Sequence, residues 1–267
     1  MSDDARRAFR DLHAHGTFVL PNPWDVGSAR LLEHLGFVAL ATTSSGLAAS
    51  LGRRDGEITR DELVAHVAAL TAAVRIPVTV DAERCFGAGP DEVAATVELL
   101  AAAGASGLSI EDWNPDTGAI DDLATAAERV SAAAAACRRH GLVLTGRAEN
   151  HLHGVDDLDD TLARLRAYRA AGAGAVYAPG LVAASDIARV VAEAGAPVNV
   201  LALPGGPAVP ELARLGVRRV STGGGLAWAA YGALVSAAEE LRSTGTTTYL
   251  ARALPAAVRG AAFAPRD

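Results

Sequence analysis

The sequence contains no lysine: all 24 of the residues counted as Lys or Arg among its 267 are arginine. Schiff-base aldolases, pyridoxal-phosphate enzymes and P-loop nucleotide hydrolases each need a lysine side chain at the reacting centre. The absence therefore excludes these three reaction classes, and any electron sink that the protein uses is not an amine.

Cysteine is also scarce, and long apolar runs are absent. The two cysteines, Cys85 and Cys137, lie far apart without metal-ligand spacing, so they predict neither a disulfide framework nor a cysteine metal site. No 18-residue apolar run predicts a membrane span, and residues 1–15 do not have the pattern of a signal peptide. A net charge of −7 gives no reason to expect nucleic acid or an anionic membrane as a partner. We expect a soluble, cytoplasmic protein.

Short apolar runs alternate with longer segments whose apolar residues have helical spacing. Leu63, Val67 and Leu70 repeat at i, i+4 and i+7, and Thr59 with Glu62 has the spacing of a capping box. Apolar strands that are each followed by a helix indicate a parallel sheet covered on its outside. Eight such units favour a closed (β/α)8 TIM barrel over an open doubly wound sheet. The predicted strands are residues 18–20, 38–41, 78–80, 107–110, 142–145, 175–177, 198–201 and 219–221.

No linker composition or charge run divides the chain, so we predict a single domain over residues 1–267. A predicted helix over about 226–242 follows the last strand, and a further helical stretch over about 247–259 is surplus to a barrel. This C-terminal extension, residues 243–267, is suited either to packing on its own barrel or to capping a neighbouring subunit.

Carboxylates follow two adjacent predicted strands at the ends where (β/α)8 enzymes carry their chemistry. Asp81 and Glu83 follow the third strand, and Glu111 follows the fourth. Such a cluster repels itself unless a cation or shared protons neutralise it, and oxygen ligands of this kind suit Mg²⁺, with Mn²⁺ as a substitute. Because Mg²⁺ usually keeps several waters, we expect some of the three to act through water. Taken singly, each is otherwise a solvated acid or a partner of Arg84 or Arg147.

The fifth predicted strand is followed by an arginine and by two histidines. The Arg147 guanidinium is suited to clamping a carboxylate or phosphonate, but an internal salt bridge to Glu149 or Glu111 is an equal alternative. His151 and His153 are candidates for proton donors, because an imidazole titrates near neutral pH, and their alternative is a surface loop.

Further polar residues follow other strands and complete a predicted substrate-binding set. Ser44, Ser45 and Gly46 offer hydroxyl and backbone N–H groups of the kind that hold a carboxylate or a developing oxyanion, and otherwise form a small polar turn. Trp24 follows the first strand, Arg147 and Glu149 follow the fifth, and Asn199 lies in the seventh.

Several stretches between about residues 19 and 231 together carry the pattern of a known family. They are residues 21–30 (PNPWDVGSAR), 43–46 (TSSG), Asp55, 80–83 (VDAE) with Gly87, 110–112 (IED), 146–150 (GRAEN), 197–200 (PVNV) and 219–221 (RVS). In these stretches the chain resembles the isocitrate lyase/phosphoenolpyruvate mutase superfamily. The resemblance implies a (β/α)8 barrel in a homo-oligomer, usually a tetramer, that exchanges a C-terminal helix. It also implies Mg²⁺-dependent chemistry at a C–C or P–C bond beside a 2-oxo acid.

Site residues carry over from the resemblance one by one. Asp81, Glu83 and Glu111 match the magnesium site, Ser45 and Gly46 the oxyanion and carboxylate contacts, Arg147 the substrate-binding arginine, Asn199 a pocket residue, and Asp55 the acid on the loop after the second strand.

Two departures from the family pattern narrow the activity. The lyases have a Lys-Lys/Arg-Cys-Gly-His segment after the fourth-strand acid, whereas residues 111–119 read EDWNPDTGA and lack both the lysine and the cysteine. The phosphonomutases place a lysine and an asparagine on the same gating loop, where Asn114 is available here. The third-strand motif has Cys85 and Phe86 where the family usually has glycine and tyrosine.

The residues and the resemblance together predict a Mg²⁺-dependent lyase. It would cleave a C–C bond beside the 2-oxo or 2-hydroxy group of a small di- or tricarboxylate, through a pyruvate-type enolate. One alternative is P–C hydrolysis or phosphoryl migration on a phosphonopyruvate-like substrate. Another is a catalytically silent barrel that serves as a binding protein, which the altered Cys85 and Phe86 suggest.

Overall fold

The computed structural model describes residues 2–265, so Met1, Arg266 and Asp267 of the predicted domain lie outside the described residues. The strands are β1 Phe18–Leu20, β2 Leu40–Ala41, β3 Val78–Asp81, β4 Gly107–Glu111, β5 Trp113–Asn114, β6 Ala119–Ile120, β7 Val143–Arg147, β8 Ala175–Tyr177, β9 Val198–Leu201 and β10 Arg219–Ser221. Eight of them form a parallel sheet in the order β1-β10-β9-β8-β7-β4-β3-β2, and β5 pairs with β6 in a separate antiparallel hairpin. The predicted (β/α)8 barrel is confirmed.

Hydrogen bonds from the end of β1 close the barrel between its two outermost strands. Ala41 N donates to Pro21 O at 3.1 Å, and Asn22 Nδ2 donates to Thr42 O at 2.7 Å. The Asn22 Oδ1 atom also accepts from Thr222 N, at 2.9 Å, just beyond β10. One asparagine side chain therefore links the ends of three strands on the side where the predicted site lies.

The helices pack their apolar faces on the outside of the sheet. The capping box at Thr59 is present, since Thr59 Oγ1 accepts from Glu62 N and Glu62 Oε2 accepts from Thr59 N. Leu63, Val67 and Leu70 are buried, as their spacing predicts. The helices are α1 Ser2–Leu12, α2 Val26–His34, α3 Ser44–Ser50, α4 Arg60–Ala73, α5 Pro90–Ala102, α6 Leu123–His140, α7 Leu158–Ala170, α8 Ala184–Glu193, α9 Val209–Arg214, α10 Gly225–Thr244 and α11 Ala256–Ala262, with 3₁₀ helices at Asn150–His153 and Thr248–Arg252.

The C-terminal extension was predicted to contain one helical stretch over about 247–259, and the structure differs. A 3₁₀ turn and the short helix α11 replace it, because Pro255 has no N–H to continue a helix and stands as the N-cap of α11. The helix α11 packs on α2 of the same chain, where Arg30 donates to Ala264 O and lies 5.9 Å from the ring centre of Phe263. Within residues 2–265, no helix has the length and apolar character needed to cross a membrane.

Candidate active site

Two adjoining cavities lie at the C-terminal ends of the barrel strands. The inner cavity, of about 160 Å³, reaches down between the strands, and the outer cavity, of about 530 Å³, lies between the surrounding loops. Ser44, Asp55, Arg147 and Leu152 line both. The C-terminal ends of the strands are where barrel enzymes bind their substrates, so this position identifies the pair as the candidate active site.

Arg147 lies between the cavities and pairs with three carboxylates. Its Nη1 is 2.6 Å from Asp81 Oδ1 and 3.1 Å from Glu111 Oε2, and its Nε donates to Glu149 Oε1 at 2.9 Å. The guanidinium carbon lies 5.3 Å from the ring centre of Tyr177. Of the two alternatives that the sequence left open, the internal ion pairs are therefore present, and these bonds do not use Nη2.

Burial and charge act in opposite directions on this cluster. Burial raises the pKa of Glu111 well above its usual value, although Arg147 opposes the shift. Burial would lower the pKa of Arg147, but Glu149, Glu111 and Asp81 raise it well above its usual value. One guanidinium thus stays charged among three carboxyl groups, and burial disfavours the charged form of Glu111 and Glu149 unless further positive charge is supplied.

Two further acids extend the cluster into the outer cavity. Burial, followed by the charges of Asp81 and Asp55, raises the pKa of Glu83 to about 8. Burial also raises the pKa of Asp55, with a hydrogen bond from Ser44 opposing the shift. The Glu83 Oε1 atom is buried and has no hydrogen-bond partner among the described residues. The arrangement leaves an acceptor oxygen open beside the acidic cluster, which suits a cation.

The predicted metal ligands line the two cavities but do not converge on one point. Within residues 2–265, no three His, Cys, Asp or Glu side chains are grouped closely enough to ligate one ion. Asp81 Oδ2 already accepts from Ser44 N at 3.0 Å. Mg²⁺ is usually held by one or two carboxylates and completes its shell with water, so the residues fit an ion with few direct protein ligands. The assignment of Asp81, Glu83 and Glu111 to a metal stays a prediction.

The start of α3 places two serines in the wall of the inner cavity. The Ser44 N–H is used by Asp81, as described above, while Ser45 Oγ accepts from Trp228 Nε1 at 3.2 Å. A hydroxyl that accepts a hydrogen bond still has its own O–H to donate. Ser45 can therefore donate to a ligand in the cavity.

Gly46 and Trp24, both predicted to bind substrate, lie behind that wall. Gly46 N donates to the N-cap Thr43 Oγ1 at 3.3 Å. A Cβ at position 46 would be 2.6 Å from Thr43 Cγ2 and 2.9 Å from Trp24 Cβ. Both residues pack α3 onto the barrel, and neither lines the two cavities.

A row of side chains on neighbouring strands continues the inner cavity away from Arg147. The register aligns Arg147 with Tyr177, Tyr177 with Asn199, and Asn199 with Arg219. Asn199 Oδ1 accepts from Arg219 Nε at 2.9 Å, and Asn199 Nδ2 donates to Ser221 Oγ at 2.9 Å. Asn199 thus lies in the cavity wall, as predicted. Its neighbours Tyr177 and Arg219 also line the cavity, although the sequence analysis did not assign them to the site.

The two missed residues differ in the signal that the sequence carries for them. Tyr177 ends the sixth predicted strand, so the rule that found Asp81 and Glu111 also applies to it. Arg219 begins β10 and gives no such signal, because residues at strand starts normally lie at the opposite end of a barrel. Its long side chain and the strand register bring it to the cavity.

The structure does not bring His151 to either cavity, contrary to its predicted catalytic role. Its Nε2 is 3.1 Å from Thr161 Oγ1, and its Nδ1 is 3.4 Å from Asp156 Oδ1, so the 3₁₀ helix turns it towards α7. His153 instead lines the outer cavity and stacks on Trp113 with ring centres 3.5 Å apart. We therefore leave His151 out of the proposed site.

The family model for phosphoenolpyruvate phosphomutase matches residues 9–242. The chain belongs to the phosphoenolpyruvate mutase family. It thereby falls within the isocitrate lyase/phosphoenolpyruvate mutase superfamily.

Individual relatives agree with this membership. A proposed lyase/mutase from Burkholderia cenocepacia J2315 has a crystal structure with a TM-score of 0.95 and 49% identity, covering 100% of this chain and 98% of the other. An uncharacterised protein of Mycobacterium tuberculosis (strain H37Rv) is 35% identical over 252 residues, 93% of each chain. The oxaloacetate decarboxylase of Bradyrhizobium (strain BTAi1) is 34% identical over 206 residues, 74% of this chain and 69% of the relative.

The segment where the superfamily lyases have their Lys-Cys motif forms the β5–β6 hairpin in this member of the family. Asn114 Nδ2 donates to Asp121 Oδ1 at 3.1 Å, and Arg84 donates to Asp121 Oδ2 through Nε at 2.9 Å and Nη2 at 2.8 Å. With the stack of Trp113 on His153, these bonds hold the hairpin as a wall of the outer cavity.

The loop after β3 is the other departure from the phosphoenolpyruvate mutase pattern. Glu83, Cys85 and Phe86 have positive φ angles of 47°, 59° and 54°. Cys85 therefore occupies a backbone conformation that a glycine adopts without strain and that costs other residues about 1 kcal/mol. Arg129 fastens this loop by donating to Gly87 O at 2.8 Å. Burial raises the pKa of the Cys85 thiol, which argues against a nucleophilic thiolate.

Proposed function

We propose that the protein is a Mg²⁺-dependent lyase that cleaves a C–C bond beside the 2-oxo or 2-hydroxy group of a small di- or tricarboxylate. The observation that carries the proposal is the crowding of carboxylates around one arginine, beside a buried Glu83 oxygen that has no hydrogen-bond partner within residues 2–265. Such a cluster is stable at neutral pH when a cation neutralises it.

The acidic residues would hold the ion mainly from the third and fourth barrel strands. Asp81 and Glu83 are the proposed direct ligands, and Glu111, whose contact in the structure is with Arg147, would act through water. When bound, Mg²⁺ supplies positive charge that stabilises the negative charge developing on the enolate oxygen. With no lysine in the chain, an iminium cannot serve that purpose.

Arg147 and Ser45 are the groups that would bind and orient the substrate. The Nη2 of Arg147 is not used in its bonds to Asp81, Glu111 and Glu149, so it can donate to the carboxylate beside the oxo group. The Ser45 hydroxyl accepts from Trp228 and can donate to the same end of the substrate. Because Asp81, Glu111 and Glu149 fix the guanidinium plane, little ordering remains to be done on binding.

Similarity to an oxaloacetate decarboxylase supports a 2-oxo dicarboxylate as the substrate class. In decarboxylation, the bond to the leaving carboxylate breaks, its electron pair moves into the enolate, and CO₂ departs. The enolate then takes up a proton to give the 2-oxo acid product. In retro-aldol cleavage of a 2-hydroxy acid, the hydroxyl group loses its proton and becomes the carbonyl of a 2-oxo acid as the C–C bond breaks. The electron pair of that bond leaves on the α-carbon of the other carboxylate as an enolate, which then takes up a proton.

The experiment that tests this proposal measures pyruvate release from oxaloacetate and from 2-methylmalate. We expect EDTA to abolish turnover and added Mg²⁺ to restore it. Because Mg²⁺ alone accelerates oxaloacetate decarboxylation, each rate is corrected with a protein-free sample that contains the same Mg²⁺. Full activity in chelator would contradict the metal requirement.

A second candidate reaction is P–C cleavage or phosphoryl migration, which the name of the matching family model favours. The absence of lysine from the β5–β6 hairpin argues against it. Phosphonopyruvate is the discriminating substrate: release of inorganic phosphate or formation of phosphoenolpyruvate would support this reaction. Oxalate, a flat mimic of enolpyruvate, tests the silent barrel, because a protein without the site would show no Mg²⁺-dependent oxalate binding.

The C-terminal segment supports a homo-oligomer. Leu234, Val235 and Leu241 on α10 and Leu250 in the following 3₁₀ helix are 63%, 55%, 51% and 58% exposed, a concentration of large apolar side chains after the last barrel strand. Exposed apolar patches of this kind are typical of subunit contacts. Light scattering coupled to size exclusion should show a dimer or tetramer, and Leu234→Glu with Leu241→Glu should shift it towards the monomer.

A further inference from the structure

The wall of the inner cavity includes a buried arginine, Arg219, whose hydrogen-bond partners are all neutral. Arg219 is 4% exposed. Its Nε donates to Asn199 Oδ1 at 2.9 Å and its Nη2 to Thr145 Oγ1 at 3.0 Å, while its Nη1 lies 3.5 Å from His13 Nε2. None of the ion pairs found among residues 2–265 includes Arg219, in contrast to Arg147 with its three carboxylates.

The guanidinium of Arg219 is nevertheless charged at neutral pH. Burial lowers its pKa to about 10, with Tyr177 opposing and Arg147 adding to the shift. His13 does not compensate, because burial and the charge of Arg219 lower the pKa of its imidazole to about 4 and leave it neutral. A buried cation without a counter-charge is unfavourable, so an anion that reaches it gains more than it would in water.

Arg219, Asn199, Ser221 and Tyr177 line the inner cavity, and each retains or shares unused hydrogen-bond donors. A guanidinium has five N–H groups, of which the three contacts above use one each. The oxygen of the Asn199 amide is occupied by Arg219, and its Nδ2 donates one N–H to Ser221 and retains the other. Tyr177 and Ser221 share a hydrogen bond, so one of their two O–H groups remains available.

We propose that Arg219, Asn199 and Ser221, which we call the inner recess, form a subsite for the second carboxylate of a dicarboxylate substrate. Arg219 supplies the positive charge and fixes the Asn199 amide with its N–H groups towards the ligand. The end of the substrate that reacts lies at Arg147 and the acidic cluster. This assignment rests on the proposed function for its substrate class, and it makes Arg219 the residue that selects dianions over monoanions.

The test compares two unreactive ligands of equal chain length, succinate and butanoate, which differ by one carboxylate. Their affinities are measured by calorimetry with Mg²⁺ present, on the full-length protein. We expect wild type to prefer succinate by at least about tenfold, the value of one good charge interaction. Arg219→Met should reduce the preference to about one, and Arg219→Lys, which keeps the charge, should restore part of it.

The neighbouring Arg218→Gln is the matched control, because it removes the same charge from a side chain that does not line either cavity. Its succinate preference should equal that of wild type. If Arg219→Met does not fold, Asn199→Asp replaces it, since a carboxylate beside Arg219 supplies the missing counter-charge and should also abolish the preference. An unchanged preference in these variants, or an equal loss for both ligands, would overturn the proposal.

Two further measurements distinguish a failure of this inference from a failure of the proposed function. Succinate and butanoate cannot be cleaved, so an Arg219-dependent preference supports the inner recess even if no 2-oxo acid is turned over. With a substrate that is turned over, Arg219→Met should raise KM by a larger factor than it lowers kcat. If 3-phosphonopropanoate binds more tightly than succinate with the same dependence on Arg219, the recess takes a phosphonate, and the carboxylate assignment is overturned.

Discussion

The two ends of the candidate active site each contain a buried arginine, but the charges around the two arginines differ. At the outer end, Arg147 pairs with three carboxylates, and the buried Glu83 Oε1 has no hydrogen-bond partner among the residues that the structure describes. At the inner end, Arg219 is surrounded by neutral donors and acceptors. One end therefore suits a cation and the other an anion, which is what binding a small dicarboxylate beside a divalent metal ion requires.

The largest effect is expected at the acidic end, in catalysis. Asp81→Asn keeps the shape of the side chain and an oxygen for the Ser44 N–H, but it removes the charge that Arg147 and a metal ion need. We expect kcat/KM to fall by about 10³-fold, because metal-dependent charge stabilisation is lost. Asp116→Asn, on the exposed tip of the β5–β6 hairpin, should leave kcat/KM unchanged, and an equal loss there would contradict the assignment.

The second effect concerns stability at the same end. Arg147→Met leaves three carboxylates without their cation and should lower the free energy of unfolding by about 3 kcal/mol in metal-free buffer. Urea titration measures the loss, and added Mg²⁺ should recover part of it. Arg139→Met removes a surface pair with Glu98, with side chains 56% and 40% exposed, and should cost less than about 0.5 kcal/mol. If Arg147→Met and Arg139→Met lowered the free energy of unfolding equally, the ion pairs of Arg147 would be worth no more than a surface ion pair.

The third prediction concerns how the stability of the metal-free protein depends on pH at the outer end, through Glu83, and at the inner end, through His13. Glu83 has a pKa of about 8 when folded, so between its unfolded value and pH 8 the folded state holds more protons, and stability falls as pH rises. His13 has a folded pKa of about 4, so its contribution is lost as pH falls from about 6.5 towards 4.

Glu83→Gln should therefore remove part of the loss on the alkaline side, on the order of 4 kcal/mol between pH 5 and pH 9, and leave the acid side unchanged. Glu111 and Asp55, whose pKa values are also raised, account for the alkaline loss that remains. Urea unfolding across this range measures both sides. An alkaline loss of the same size in Glu83→Gln would show that another group titrates there.

The smallest effect tests the helix start where the two cavities meet. Gly46→Ala places a Cβ 2.6 Å from Thr43 Cγ2, so α3 has to shift, and we expect a loss of about 1–2 kcal/mol in thermal unfolding. Gly225→Ala is the matched control at a helix start with no atom within 4 Å of the new Cβ, and it should be neutral or slightly stabilising. If both variants behave alike, close packing at Gly46 does not position Ser44 and Ser45.

Sequence reasoning succeeded where a local rule links residue order to position. Apolar runs followed by helices predicted all eight barrel strands, with β2 observed at Leu40–Ala41 within the predicted 38–41. The ends of parallel strands meet at one end of a barrel, so Asp81, Glu111 and Arg147 were predicted to lie near one another, and they do.

Prediction failed where orientation decides the outcome. His151 and His153 are two residues apart, and the turn of the 3₁₀ helix directs the first to Thr161 and the second to Trp113. No periodicity in the sequence indicates which of the two faces the cavity. The stack of His153 on Trp113 joins residues 40 positions apart, a contact that only the packed loops create.

The sequence by itself excluded a lysine iminium, and its carboxylates at strand ends predict a metal ion as the electron sink. It also determined the barrel, since the alternation of strands and helices is encoded in local apolar patterns. The tertiary structure alone decided how charge is divided within the site. The position of Arg147 at a strand end placed it in the site, but the sequence did not indicate which charges surround it or that Arg219 joins it. The strand register and burial surround Arg147 with acids and leave Arg219 without an ion-pair partner within residues 2–265.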